Sequence, residues 1–205
     1  VHTYVYGDHP PLLGLTIAAG FEVLGFHYWV ERAVPILYSL AGLVVFYFLM
    51  IYLFDLAIAI FASLIYAILP MFAYFGRDVA HEAPTLFWAL VLLTGYFHWQ
   101  RDPRQRWLAL MAAAVVIGGF YGWPMYFFAT MVFAVHWLST RRFDRTLALV
   151  TILPAVVTFV LVVAQIDWAL GGNLHKTLTN FLTRTGTGTV GVSMTPFSWV
   201  LRLLR

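Results

Sequence analysis

The chain has 205 residues, 62% of them hydrophobic and only 10% charged, with 12 basic and 9 acidic side chains. An ordinary soluble domain carries about 25% charged residues and disordered chains are poor in apolar ones; both classes are excluded, and the continuous apolar runs point to membrane-spanning helices rather than barrel strands. The absence of cysteine removes disulfides, thiolate metal sites and thiol catalysis, and no basic stripe points to nucleic acid.

The fold class expected is all-α: a polytopic transmembrane helix bundle of about six spans plus an interfacial helix. Residues 1–11 are polar, and the stiff Pro10-Pro11 pair can only open a helix. Leu12–Tyr28 is apolar but interrupted by Gly14, Gly20, Glu22, Gly25 and His27, which predicts an interfacial or re-entrant helix, with a true span as the alternative. Spans are then expected over Ala33–Phe54, Leu56–Phe75, Ala83–Trp99, Trp107–Tyr121, Met125–Leu138 and Thr146–Gln165. Pro35, Pro70 and Pro154 fall in or near them as candidate kinks. The organisation read from this is an outer loop and interfacial helix over 1–29, a bundle over 30–165, and an outer loop with the start of another helix over 166–205. Both ends read as cut, so the chain is expected to be part of a longer membrane domain.

Arginine marks one side of the bundle. Arg101, Arg104 and Arg106 lie in one loop, and Arg141, Arg142 and Arg145 lie in another two spans later. By the positive-inside rule these loops are cytoplasmic. Asp8, His9, Glu31, Arg32, Arg77, Asp78, His81, Glu82, Asp167, His175, Lys176 and Arg184 are then expected at the opposite, outer face.

Several of these residues are candidates for chemistry, each beside a plainer alternative. Asp8 and His9 sit on the stiff Pro-Pro turn, where an acid can hold a metal or cation and an imidazole can contact a phosphate or take a proton; the alternative is a solvated turn. Asp78, His81 and Glu82 share a helix face if the helix starts early; otherwise Asp78 and Glu82 serve as helix-terminal acids, which leaves Arg77 and His81 unexplained. Arg32 can grip a phosphate, pair with Glu31, or snorkel to the headgroups. His175, Lys176 and Arg184 can bind a lipid phosphate or simply the surrounding bilayer. His98 and His136, each beside a Trp, are expected in the interfacial belt.

Taken in order, these motifs resemble a known superfamily. His9-Pro10-Pro11-Leu12 opens an apolar helix; Leu24-Gly25 follows; Glu31-Arg32 leads into a span ending in Leu53-Phe54. The next span closes with Pro70 and Phe75-Gly76-Arg77, and Glu82 opens another. The pattern resembles the dolichyl-phosphate-mannose–protein mannosyltransferase superfamily of GT-C glycosyltransferases, which includes the lipid A aminoarabinose transferases. The resemblance implies an enzyme, a hexosyl- or pentosyltransferase. It would move a sugar from a polyprenyl-phosphate-linked donor to a protein, lipid or glycan acceptor at the outer face, usually with inversion. It implies a metal role for Asp8 and a phosphate contact for His9, and it matches Arg32, Arg77 and Glu82 to family positions; the shared outer face adds Arg32, Arg77 and Lys176 as candidate phosphate contacts and His81 and Glu82 as candidate acid or metal groups. It also implies a general base upstream of Val1, so that this piece alone is expected to be inactive. The cofactor is left open, with a divalent metal as the candidate. The implied partners are the bilayer, the lipid-linked donor and the acceptor, and the implied location is a prokaryotic plasma membrane. A transporter or flippase, and a non-catalytic membrane subunit, are the alternatives; a transporter would carry ionisable groups at mid-span.

Overall fold

The computed structural model describes residues 9–69, 74, 76 and 78–169. Among these are seven helices and no strand: α1 (Leu12–Leu24), α2 (Tyr28–Leu53), α3 (Leu56–Ile68), α4 (Glu82–Arg101), α5 (Gln105–Tyr121), α6 (Pro124–Thr140) and α7 (Arg145–Ala169). They include one compact unit, His9–Val160. A second unit is described only over Leu161–Ala169, the end of α7.

The helix boundaries have local causes. Gly25 takes φ 82° and ψ 166°, a conformation open essentially only to glycine, and ends α1 four residues before the expected Tyr28. Extended His27 then lets α2 begin at Tyr28 instead of Ala33, so Glu31 lies in its first turn and Arg32 one turn in from Tyr28, not ahead of the helix. Asp55 caps α3 by accepting from Ile58 N at 2.9 Å, and Asp144 caps α7 by accepting from Leu147 N at 2.9 Å. Pro124 opens α6, where its missing N–H costs nothing. Arg141 closes α6 in the left-handed conformation, at φ 56°. Pro35 and Pro154 lie inside α2 and α7. The expected closing segment of the second span, Pro70 to Phe75, lies largely outside the described residues.

Six spans were expected, and among the described residues two helices taken singly are long and apolar enough to cross a membrane: Tyr28–Leu53 at mean hydropathy 2.3 and Arg145–Trp168 at 2.8. The reason lies in the packing. Helix α4 is surrounded by α2, α5 and α6, and its Ala89, Leu92, Gly95 and Tyr96 are buried in protein. A helix that faces protein on most sides needs less apolarity than one facing lipid. The 13-residue α3 is short, yet Ile58, Ile60, Phe61, Leu64, Ile65 and Ile68 are all exposed. Such an outward apolar surface suits hydrocarbon and not water.

The core of this unit forms where α4, α5 and α6 meet, around Leu92, Met111, Val115, Met125 and Val132. Close approach needs small residues there. A Cβ at Gly118 would stand 2.8 Å from both Trp88 Cβ and Met125 Cγ. Threonines inside the helices return their hydroxyls to the carbonyl four residues earlier, as Thr16, Thr94 and Thr151 do, so their polar groups are satisfied without water.

Candidate functional site

The helix order brings three termini to one end of the bundle. His81, at the start of α4, places its Nδ1 2.7 Å from the carbonyl oxygen of Tyr121, the last residue of α5. A carbonyl only accepts, so Nδ1 carries the hydrogen and Nε2 keeps its lone pair. His9, just ahead of α1, stacks on the His81 ring with centroids 4.5 Å apart and an interplanar angle of 22°. Buried Pro10 holds the turn behind it. Burial, and then the neighbouring His9, lower the His81 pKa below its ordinary 6.5. Two residues 72 positions apart in sequence are therefore in ring contact.

A chain of hydroxyls runs inward from the same end. Thr16 Oγ1 gives its hydrogen to Leu12 O at 2.7 Å, so it accepts from Tyr121 Oη at 2.8 Å. Tyr121 Oη in turn accepts from Tyr38 Oη, also at 2.8 Å. This chain ties α1, α5 and α2 together. Tyr121, 3% exposed, thus holds α1 and α2 with its side chain and His81 with its backbone. Nothing in the sequence separates it from the other tyrosines; only the spatial meeting of three helices does.

Beside this end lies a cavity of about 380 Å³. Tyr38, Ser39 and Gly42 of α2, Tyr66 of α3, Phe87 of α4 and Phe128 of α6 line it, together with the exposed Glu82. Its wall is apolar apart from a few groups, the usual make-up of a small-molecule site. Ser39 Oγ is buried there with no hydrogen-bond partner among the described residues, a costly state unless a ligand or water satisfies it.

Other expectations fare differently. Helix α4 starts at Glu82, so Asp78 is not on its face; the Asp78 carboxylate accepts from Val79 N at 3.0 Å and does not cap α4. Glu82 does occupy the first turn of α4, where the helix dipole favours an acid. Arg32 bonds Tyr28 Oη and lies 4.5 Å from the centre of the Tyr28 ring, one turn back, with no described contact to His9, His81 or Glu82. His136 is not an interfacial belt residue: it is 8% exposed, with Nδ1 3.0 Å from Tyr96 Oη, because α6 turns it inward against α4. Asp8, Arg77, His175, Lys176 and Arg184 lie outside the described residues. Among the described residues no three His, Asp or Glu side chains converge, so these alone do not assemble a metal site.

At the opposite end stand the six arginines. Tyr52 at the end of α2, His98 and Arg101 at the end of α4, and Trp107 at the start of α5 meet there. The α2–α3 turn at Asp55 therefore shares the arginine-rich end.

No curated protein and no solved structure gives a significant match. The family model described as dolichyl-phosphate-mannose-protein mannosyltransferase matches residues 8–168, which takes in the seven described helices except the last residue of α7. The chain belongs to this family, one of membrane glycosyltransferases of the GT-C type.

Proposed function

We propose that the His9–His81 end of the bundle is part of a transferase site that takes a sugar from a polyprenyl-phosphate-linked donor. The acceptor is a protein, lipid or glycan at the extracytoplasmic face of a prokaryotic plasma membrane. One observation carries this reading: two imidazoles in ring contact stand beside an apolar cavity, at the end of the bundle away from the arginines. The cavity has room for a few isoprene units, and its aromatic walls suit a prenyl chain. The imidazoles then lie where a phosphate at the chain's head would sit. Asp8, Arg77 and Lys176, which lie outside the described residues, are kept as candidate donor contacts from the sequence alone, with Arg32 as a further phosphate contact that must first leave Tyr28.

In the proposed reaction an acceptor hydroxyl loses its proton to a carboxylate base. The oxygen attacks the anomeric carbon, the bond from that carbon to the phosphate oxygen breaks, and polyprenyl phosphate leaves with the electron pair. Cationic groups and N–H donors stabilise the charge that builds on the leaving phosphate. His81, oriented by the Tyr121 carbonyl, and Glu82 serve in this reading as acid or metal-binding groups at the same end.

A transport path is less well supported. Every described Asp, Glu and Arg lies at or near a helix end or in a turn, whereas transporters keep ionisable groups at mid-membrane. The test is transfer of label from radiolabelled polyprenyl-phosphate sugars by the full-length protein in proteoliposomes. His9→Ala and Arg77→Ala are each expected to abolish transfer without loss of expression. Unchanged transfer in both removes the site.

A further inference from the structure

The end of the bundle far from the histidine pair carries a feature that the transferase reading does not use. Five side chains from three helices form one continuous stack. The Arg101 guanidinium lies 4.3 Å from the centre of the Tyr52 ring. Tyr52 stacks on His98 with centroids 3.8 Å apart and an angle of 13°. His98 lies 4.4 Å from Trp107, and the Arg106 guanidinium is 4.6 Å from the Trp107 ring centre. His98 is held in place by its Nδ1–H, which donates to Thr94 O at 2.8 Å.

A guanidinium lying on an aromatic face uses its face and leaves its in-plane N–H edge available, the geometry that takes an oxyanion in a bidentate way. Arg101 makes no described ion pair, and Arg106 has only Asp102 at 4.0 Å, a carboxylate held mainly by Arg104 at 2.7 Å. Helix stability explains Arg101, which lies in the last turn of α4 where the dipole favours a cation, but not Arg106. Arg104 is the N-cap of α5, Arg106 is in its first turn, and Arg145 opens α7, all at the helix end whose dipole repels cations. The end is therefore short of anions.

The surroundings decide which anion. The stack borders the α2–α3 turn, where Phe54 and Leu56 are exposed, at 59% and 57%. The outward faces of α2 and α3 then continue with Val44, Phe48, Phe61 and Leu64, all exposed. Charge at the tip with an apolar surface running away from it complements an amphiphile and not a small soluble anion.

We propose that the Arg101–Tyr52–His98–Trp107–Arg106 stack binds the phosphodiester headgroup of an anionic phospholipid, whose acyl chains lie along α2 and α3. This inference rests on the membrane setting of the family and not on the donor site, and its assay measures no sugar transfer.

The experiment uses the full-length protein in nanodiscs of mixed phosphatidylcholine and phosphatidylglycerol. Lipids that stay bound after extraction into detergent are counted by native mass spectrometry. The wild type is expected to retain phosphatidylglycerol over phosphatidylcholine. The double variant Arg101→Gln/Arg106→Gln should lose that preference by roughly thirtyfold, given the strength of two basic groups near a lipid surface. Arg142→Gln, outside the stack, should retain it. The charge-conserving Arg101→Lys/Arg106→Lys should also lose most of it, because an ammonium lacks the planar fork; this variant guards against a folding defect in the first. Full retention in the Lys variant, equal loss in Arg142→Gln, or displacement of the lipid by millimolar inorganic phosphate would each overturn the proposal.

Discussion

The two ends of the helical unit use ionisable and aromatic groups in opposite ways. At the histidine end the groups face one another. His81 is hydrogen-bonded to a backbone carbonyl, stacked on His9 and shifted toward neutrality by burial. At the arginine end the charges stay exposed: Arg101 and Arg106 lie on aromatic faces, and Arg104 pairs with Asp102 at the surface. An interior-facing set of groups holds its geometry and excludes water, which is what chemistry on a bound substrate needs. An outward-facing set keeps full charge and meets what surrounds the bundle. The contrast teaches that sidedness here is built by packing as well as by charge count.

The largest expected effect breaks the comparison outright. If the histidine end holds the donor phosphate, His9→Ala in the full-length protein lowers sugar transfer by at least about 100-fold, the scale for losing one donor to a developing oxyanion. A loss confined to the arginine-end variants would reverse the assignment of the two ends. Next in size is a packing test. Gly118→Leu forces a side chain into Trp88 and Met125, already 2.8 Å from a single added carbon, and should destabilise the core by about 3 kcal/mol in detergent unfolding. Because that contact lies on the histidine-end half of α5, transfer should fall along with it while phosphatidylglycerol retention persists.

Tyr121→Phe is subtler. It removes the acceptor of the Tyr38 hydroxyl and the donor to Thr16, at a cost of about 1 kcal/mol. Faster amide exchange in α1 with unchanged exchange in α6 would show that the hydroxyl chain ties α1 to the bundle. The smallest effect is a pH dependence. The folded state holds His81 below 6.5, so on acidification the unfolded chain takes up the proton first. Stability therefore falls as pH drops below about 6.5. His81→Gln should flatten that slope in thermal melts recorded across the range; an unaltered slope would place the titration elsewhere.

Much of the helix pattern is legible in the primary structure, since α5, α6 and the start of α3 lie within two residues of where apolar runs and turn residues put them. Helix α2 differs more, because Gly25 and not Arg32 marks the break. Of the residues picked out for chemistry, His9 and His81 meet, whereas Asp78 and Arg32 turn to local partners. A tetrapeptide states which groups are present but not which distant segment they face. Cooperation between His9 and His81 depends on the chain returning through three helices before α4 begins.

The sequence alone determined that this chain is helical, belongs in a membrane, and concentrates arginine at one end, because composition and the period of apolar residues act locally and additively. Only the tertiary structure decided that Tyr121 joins three helices, that His136 is buried, that Ser39 opens into a cavity, and that five side chains from three helices stack into one column. Those outcomes depend on how helix faces rotate and cross during packing, a property of many weak contacts at once and of no single segment.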